Sequence, residues 1–135
     1  MTTRTCMHCE TGQMNLVTRN VNATLDGFSR EVADVHGWFC DGCGEIEFAD
    51  SDSAARYAAA MDALVIESRK ERGREVRRIR TRLKLTQKAA AEVFGGGVNA
   101  FSRYERGEVE PPRAVVKFLR VLDRHPDLLD EVKRA

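Results

Sequence analysis

No stretch of this 135-residue chain approaches the roughly 20 consecutive apolar residues that cross a bilayer. The opening Met1-Thr2-Thr3-Arg4-Thr5-Cys6 lacks the apolar core of a secretory signal. A cytoplasmic protein with no membrane partner is therefore expected. The marks of an enzyme are missing as well. No nucleophile stands beside an evident base, and Gly95-Gly96-Gly97 has neither the lysine nor the spacing of a phosphate-binding loop. No internal repeat or low-complexity tract is present. Cysteine is scarce: four residues, all within the first 43 positions. In a reducing compartment such thiols serve as metal ligands more readily than as disulfides. With 42% apolar and 32% charged residues, the composition is that of a globular rather than a disordered chain.

The net charge of +1 conceals two halves of opposite sign. Residues 1–66 carry four basic and ten acidic side chains, whereas residues 67–135 carry eighteen and eleven. The basic half is the candidate for nucleic acid, and the acidic half for a partner of opposite character.

Met14–Val21 and Phe28–Val35 read as two strands, with Leu25-Asp26-Gly27 as the turn between them. Asp50-Ser51-Asp52-Ser53 offers N-caps for a helix carrying Ala54, Tyr57, Ala58, Met61, Leu64 and Val65 at helical spacing. That helix is expected to end near Glu67. The charged run 68–74 then reads as a linker or hinge, and its local sequence could also extend the helix. From Glu75 the pattern is helical, with Val76, Ile79, Leu83 and Leu85 on one stripe. Thr86 is the expected N-cap of a helix Gln87–Phe94, and a short helix Val98–Arg106 follows the glycines. Gly107 stops it, Pro112 opens a fourth helix, and Pro126 a fifth. Val115, Val116, Phe118, Leu119 and Leu122 form the fourth helix's apolar face.

Cys6-Met7-His8-Cys9 and Cys40-Asp41-Gly42-Cys43 are two C-x-x-C knuckles separated by 30 residues, which a hairpin would fill. Each knuckle aims two sulfurs at one ion, and two of them close a tetrahedral four-sulfur shell suited to Zn²⁺. A closed shell makes the metal structural, and metal binding supplies stability that a unit of this size lacks. Gly42 and Gly44 tolerate the positive φ that such turns use. An iron–sulfur cluster accepts the same thiolates, and His8 or His36 are alternative donors. A redox role for one pair is disfavoured by the absence of a βαβ pattern.

Leu85–Gly95 followed by Val98–Gly107 reads as helix, glycine turn, helix. Ala90 is small where the helices approach, and Val93, Phe94, Val98 and Phe101 are expected in the seam. Asn99 and Arg103 lie four residues apart and project from one side of the second helix. An Asn amide matches adenine and an Arg fork matches guanine in the major groove; the alternative is that Asn99 only caps the helix after the glycines and Arg103 is only a surface cation. Thr86, Gln87, Lys88, Ser102 and Arg106 are candidates for the phosphate backbone. Arg77, Arg78, Arg80, Arg82 and Lys84 add a positive field, although one helix cannot aim all of them at DNA. Phe101 and Tyr104 read as packing residues.

The Leu-Thr-Gln-Lys start at Leu85, the Phe94-Gly-Gly-Gly-Val-Asn-Ala-Phe-Ser-Arg-Tyr-Glu core and the Val121-Leu-Asp-Arg-His-Pro-Asp-Leu-Leu ending resemble the MqsA-type antitoxins. So do the two N-terminal cysteine pairs, in order and spacing. The resemblance implies a zinc domain that neutralises an MqsR-type toxin, a ribonuclease that cuts mRNA. It also implies an Xre-like domain that dimerises and binds a palindrome in its own promoter. By motif, Asn99 and Arg103 take the base-reading roles, and Cys6, Cys9, Cys40 and Cys43 hold the structural zinc. The expected architecture is an α+β zinc domain, a β-hairpin plus helix, over 1–67. A linker spans 68–74, and an all-α Xre/lambda-repressor-like helix-turn-helix domain of five helices spans 75–135. Val115, Val116, Leu119 and the last helix are candidates for a two-fold interface or for the domain core. The competing function is a stand-alone zinc-containing transcription regulator with no toxin partner.

Overall fold

A computed structural model describes residues 2–135. The chain divides into two compact units that meet at Val65/Ile66, each with its own core. The first holds four strands: β1 (Thr3–Thr5), β2 (Gln13–Leu25), β3 (Phe28–Cys40) and β4 (Ile46–Phe48). They form one antiparallel sheet in the order β1-β2-β3-β4. Asp26 and Gly27 connect β2 to β3 with φ of +50° and +85°. A two-residue hairpin loop with both φ positive is the type I′ arrangement, whose twist matches that of the strands.

The expected hairpin is present, but its strands are longer than the sequence indicates, and β1 and β4 were not foreseen. The second half of β3, His36-Gly37-Trp38-Phe39-Cys40, has no clean polar–apolar alternation. It lies between β2 and β4 and is largely covered. Gly37 admits β4 there, since a Cβ on it would come within 2.7 Å of Glu47 O. A bulge interrupts the β2–β3 register between Arg19 and Val21. Asn20 Oδ1 accepts the Asp34 N–H at 3.0 Å across it. Ala23, Val32, Val35, Phe39 and Leu64 form the buried core, with Tyr57 and Phe48 in ring contact at 5.3 Å.

Helix α1 (Ser51–Arg82) opens where the Asp50 carboxylate accepts the Ser53 N–H at 2.6 Å. That bond, chiefly, holds the Asp50 carboxyl below its ordinary range. The buried Ser53 hydroxyl accepts the His36 N–H at 3.0 Å. Arg56 donates to Ala33 O and, at 3.1 Å, to Asp34 O. Both groups of α1 thereby occupy β3 just beyond the stretch that pairs with β4.

The helix does not end near Glu67, and 68–74 is not an irregular linker. It is helical throughout. Its charges pair along the helix, Arg74 with Glu71 at 2.5 Å and Arg72 with Glu75 at 3.5 Å, and Ser68 is buried. Gly73 is a close-approach residue rather than a hinge. A Cβ there would stand 2.6 Å from Tyr104 O and 2.8 Å from Glu105 O.

The second unit contains the end of α1, then α2 (Gln87–Phe94), α3 (Ala100–Glu105), α4 (Arg113–Arg124), a 3-10 turn (Pro126–Leu128) and α5 (Leu129–Arg134). This is the expected five-helix arrangement. Val76, Ile79, Leu83, Leu85, Phe101, Tyr104, Leu119, Leu122 and Leu129 are its core. Phe101 stacks near Phe94 at 6.0 Å and edge-on to Tyr104 at 5.5 Å, so the aromatics pack as expected. Val116 and Leu119 are buried and Val115 packs against the core, so of the two roles open to them they take the interior one. Phe118, expected on the inner face of α4, is instead 53% exposed. No helix among the described residues is long and apolar enough to cross a membrane.

Glu75 ties α1 to α4 through Arg120, at 2.7 Å and 3.2 Å. These hydrogen bonds, more than the charges, hold the Glu75 carboxyl below its usual value. The unfolded chain therefore binds the proton more readily. The stabilisation is complete above the ordinary carboxyl pKa of about 4.3 and is lost as pH falls through the lower folded value. Urea midpoints measured between about pH 3 and pH 6 should fall toward acid, and Glu75→Gln should flatten that slope.

Candidate metal centre and nucleic-acid interface

The end of β1 and the end of β3 bring the two knuckles together. The Sγ atoms of Cys6, Cys9, Cys40 and Cys43 all lie within 4.8 Å of one another. Cys6 and Cys43 are 3.8 Å apart, Cys9 and Cys40 3.7 Å. A tetrahedral shell with metal–sulfur bonds of about 2.3 Å places its sulfurs about 3.8 Å apart, so the four fit a single ion. Among the described residues, no histidine joins this donor set. His36 instead shares a hydrogen bond with Thr18 Oγ1 at 2.9 Å.

The knuckles are locked to each other. Gln13 N–H donates to Asp41 Oδ1 at 2.8 Å, and Asp41 N–H donates to Gln13 O at 3.0 Å. Gly12 N–H donates to Cys9 Sγ at 3.2 Å, and Gly42 and Cys43 N–H donate to Cys40 Sγ at 3.3 Å and 3.4 Å. Such donors stabilise thiolates and orient metal ligands. Backbone donors at Thr11 and Gly12 lower the Cys9 thiol to about 6. At Cys43 the Glu45 N–H also lowers it, but burial and the sulfurs of Cys40, Cys9 and Cys6 outweigh that and push it up to about 12. Four sulfurs in contact resist holding four negative charges, and a divalent cation at their centre removes the conflict.

Gly44 has the expected positive φ of +78°. Gly42 serves differently, because a Cβ there would press within 3.2 Å of Gly12 Cα. Gly12 itself was missed. A Cβ on it would run into Cys40 Sγ and stand 3.2 Å from Cys9 Sγ. Its signal was its place three residues after the knuckle's second cysteine.

In the second unit, Thr86 Oγ1 accepts the Ala89 N–H at 3.0 Å and caps α2, as expected. Lys88 is exposed, and the Gln87 amide donates to Glu105 at 3.2 Å. Gly95, Gly96 and Gly97 have φ of +84°, +98° and +91°. Three successive residues in this region demand glycine, which explains the triplet. Asn99 sits at the N-cap of α3, exposed and with no side-chain cap hydrogen bond, so its amide is unspent on the helix. Arg103 lies one turn on, its side chain 55% exposed and only loosely paired with Glu108 at 3.9 Å. Ser102 is half-buried, and Arg106 is exposed and paired with Glu108 at 3.3 Å.

Two expectations change. Val98 precedes α3 rather than beginning it, and lies outside the helix–helix seam, 74% exposed. The left-handed glycines swing it out, and Phe94, Ala100 and Phe101 fill the seam instead. As expected of a helix that cannot aim every cation at DNA, part of the positive field is held by acidic side chains of the same unit. Arg80 is bound to Glu105, and Arg78 and Arg82 pair with Asp123 at 3.3 Å and 2.9 Å.

Comparison with known proteins covers the same ground. Residues 4–133 match the family model described as the antitoxin component of the bacterial toxin-antitoxin system, MqsA. The chain is 38% identical over 130 residues to Antitoxin MqsA of Escherichia coli (strain K12), covering 95% of this chain and 98% of that protein. A solved structure of the N-terminal domain of the E. coli protein MqsA aligns with 44% of this chain and 88% of its own, at 22% identity and a TM-score of 0.36. With the family model and the relative both spanning nearly its full length, the chain belongs to the MqsA family of antitoxins.

Proposed function

We propose that this antitoxin neutralises an MqsR-type mRNA-cleaving toxin through its metal-stapled first unit and represses its own operon through α2 and α3. The observation that carries the DNA reading is the exposed, uncommitted amide of Asn99 one helical turn from the exposed guanidinium of Arg103. Asn99 and Arg103 read bases. Thr86, Gln87, Lys88, Ser102 and Arg106 address the backbone, with Lys88 the better placed because Thr86 and Gln87 already serve the fold and Arg106 pairs with Glu108. The acidic first unit suits a basic ribonuclease, and the basic second unit suits DNA. The protein acts by binding rather than by catalysis, in the cytoplasm.

Cys6, Cys9, Cys40 and Cys43 hold one structural Zn²⁺ per chain. The single-ion spacing of the sulfurs favours it over a multi-iron cluster, which would interpose several atoms between them. Zinc in such a shell contributes cross-linking and charge neutralisation. A homodimer through the C-terminal unit places two copies of α3 on a palindromic operator. Phe118 and Val121, 53% and 50% exposed on α4, supply its apolar contact.

The test is an electrophoretic shift against the protein's own upstream duplex, with co-purification of the neighbouring gene product. Arg103→Ala should cost about 1–3 kcal/mol at the operator and relax base preference. Lys88→Ala should weaken all duplexes alike and shallow the salt slope. Identical behaviour of the two variants would remove the distinction between reader and anchor. A chain that shifts the operator but captures no ribonuclease on co-expression would be a stand-alone regulator.

A further inference from the structure

The DNA reading assigns polar groups to bases, but the residue presented beside them is apolar. Val98 is 74% exposed and immediately precedes Asn99. Single exposed valines are ordinary on protein surfaces. This one differs in how it is held. Of the glycines before it, Gly96 is packed against α3, because a Cβ there would stand 2.9 Å from Ala100 Cβ and 3.1 Å from Tyr104 Oη. Ala100 N–H donates to Gly97 O at 3.1 Å, binding the turn to the start of α3. A β-branched side chain adds little freedom of its own. Val98 also walls a shallow hollow of about 200 Å³ shared with Ala91, Gly97 and the flanking Lys88 and Glu92. An exposed apolar wall thus lies between a proposed phosphate anchor, Lys88, and a proposed base reader, Asn99.

In the major groove one base alone offers an apolar edge, the 5-methyl group of thymine. We propose that Val98, with the wall formed by Ala91 and Gly97, receives a thymine methyl, so that the chain reads a T·A pair next to those addressed by Asn99 and Arg103. This rests on the DNA reading above and adds to it a specificity residue that makes no hydrogen bond.

The experiment uses the full chain and its own upstream duplex. Within the protected region each thymine is replaced singly by deoxyuridine, which deletes only the methyl group. One thymine per half-site should prove sensitive, its replacement weakening binding about three- to fivefold, the effect of burying one methyl-sized group. Val98→Ala should lose a similar factor on the native duplex and become indifferent to that replacement, with an unchanged melting temperature. Failure to prefer the upstream duplex over a scrambled one would sink the DNA reading and this assignment together. Specific binding that ignores every replacement, or a Val98→Ala variant that keeps its full methyl sensitivity, would overturn the Val98 assignment alone. So would a Val98→Ala defect confined to self-association or to capture of a ribonuclease.

Discussion

Stripping the proposed zinc from the full chain with a strong chelator should unfold the sheet of the first unit while the second unit stays folded. The first unit ends at Val65, and a core of that scale seldom supplies more than about 3–5 kcal/mol. Its buried residues fall into two small clusters, and one consists of Cys6, Met14 and Cys40 with Cys9 and Trp38 against them. That second cluster is largely the ligand set itself. Without a cation it must hold sulfurs in contact at 3.7–3.8 Å with competing protonation demands. Structural zinc contributes about 10–16 kcal/mol of apparent binding energy in small peptides, more than the rest of the unit can replace. The chain's single tryptophan, Trp38, packs on this cluster and reports on it. Its emission should move toward that of a solvated indole on chelation, and Cys40→Ser should give the same spectrum without chelator. Unchanged emission and unchanged amide protection in β2 and β3 would show that the hairpin core stands alone.

Glu105→Ala should strongly destabilise the second unit. The Arg80 guanidinium meets the Glu105 carboxylate at 2.7 Å, with their side chains only 14% and 5% exposed. Arg80 also donates to Leu85 O at 2.8 Å. Removing the acid leaves a buried cation without its counter-charge, a loss of about 3–5 kcal/mol. Replacing both residues together by apolar ones of similar volume, Arg80→Met with Glu105→Leu, should recover most of it. Urea unfolding followed by far-ultraviolet circular dichroism separates the cases. The proposed operator binding should track the same order, because the pair fixes α3 to the end of α1. Equal stability of Glu105→Ala and the parent chain would mean that solvent, not Glu105, balances Arg80.

Features specified by a few adjacent residues were legible in advance. The cysteine pairs, the Asp26–Gly27 turn, the Thr86 cap and the proline-bounded helices each depend on local chemistry. What depended on a distant neighbour was not. Gly12 looks like any loop glycine until Cys40 arrives beside it. The run 68–74 reads as a hinge by composition. It is helical because its charges pair three residues apart and because Gly73 meets the carbonyls ending α3. β4 is three residues long, too short to carry a pattern. Val98 and Phe118 misled for a shared reason: apolar character predicts burial on average, and both face outward.

A long strand with unpaired amide groups is a template on which further chains can stack. The Arg56 guanidinium on Ala33 O and Asp34 O, and the Ser53 hydroxyl on His36 N–H, fill hydrogen-bonding positions of β3 where β4 stops short. The first turns of α1 thus cover that margin against fibril-like pairing with another strand.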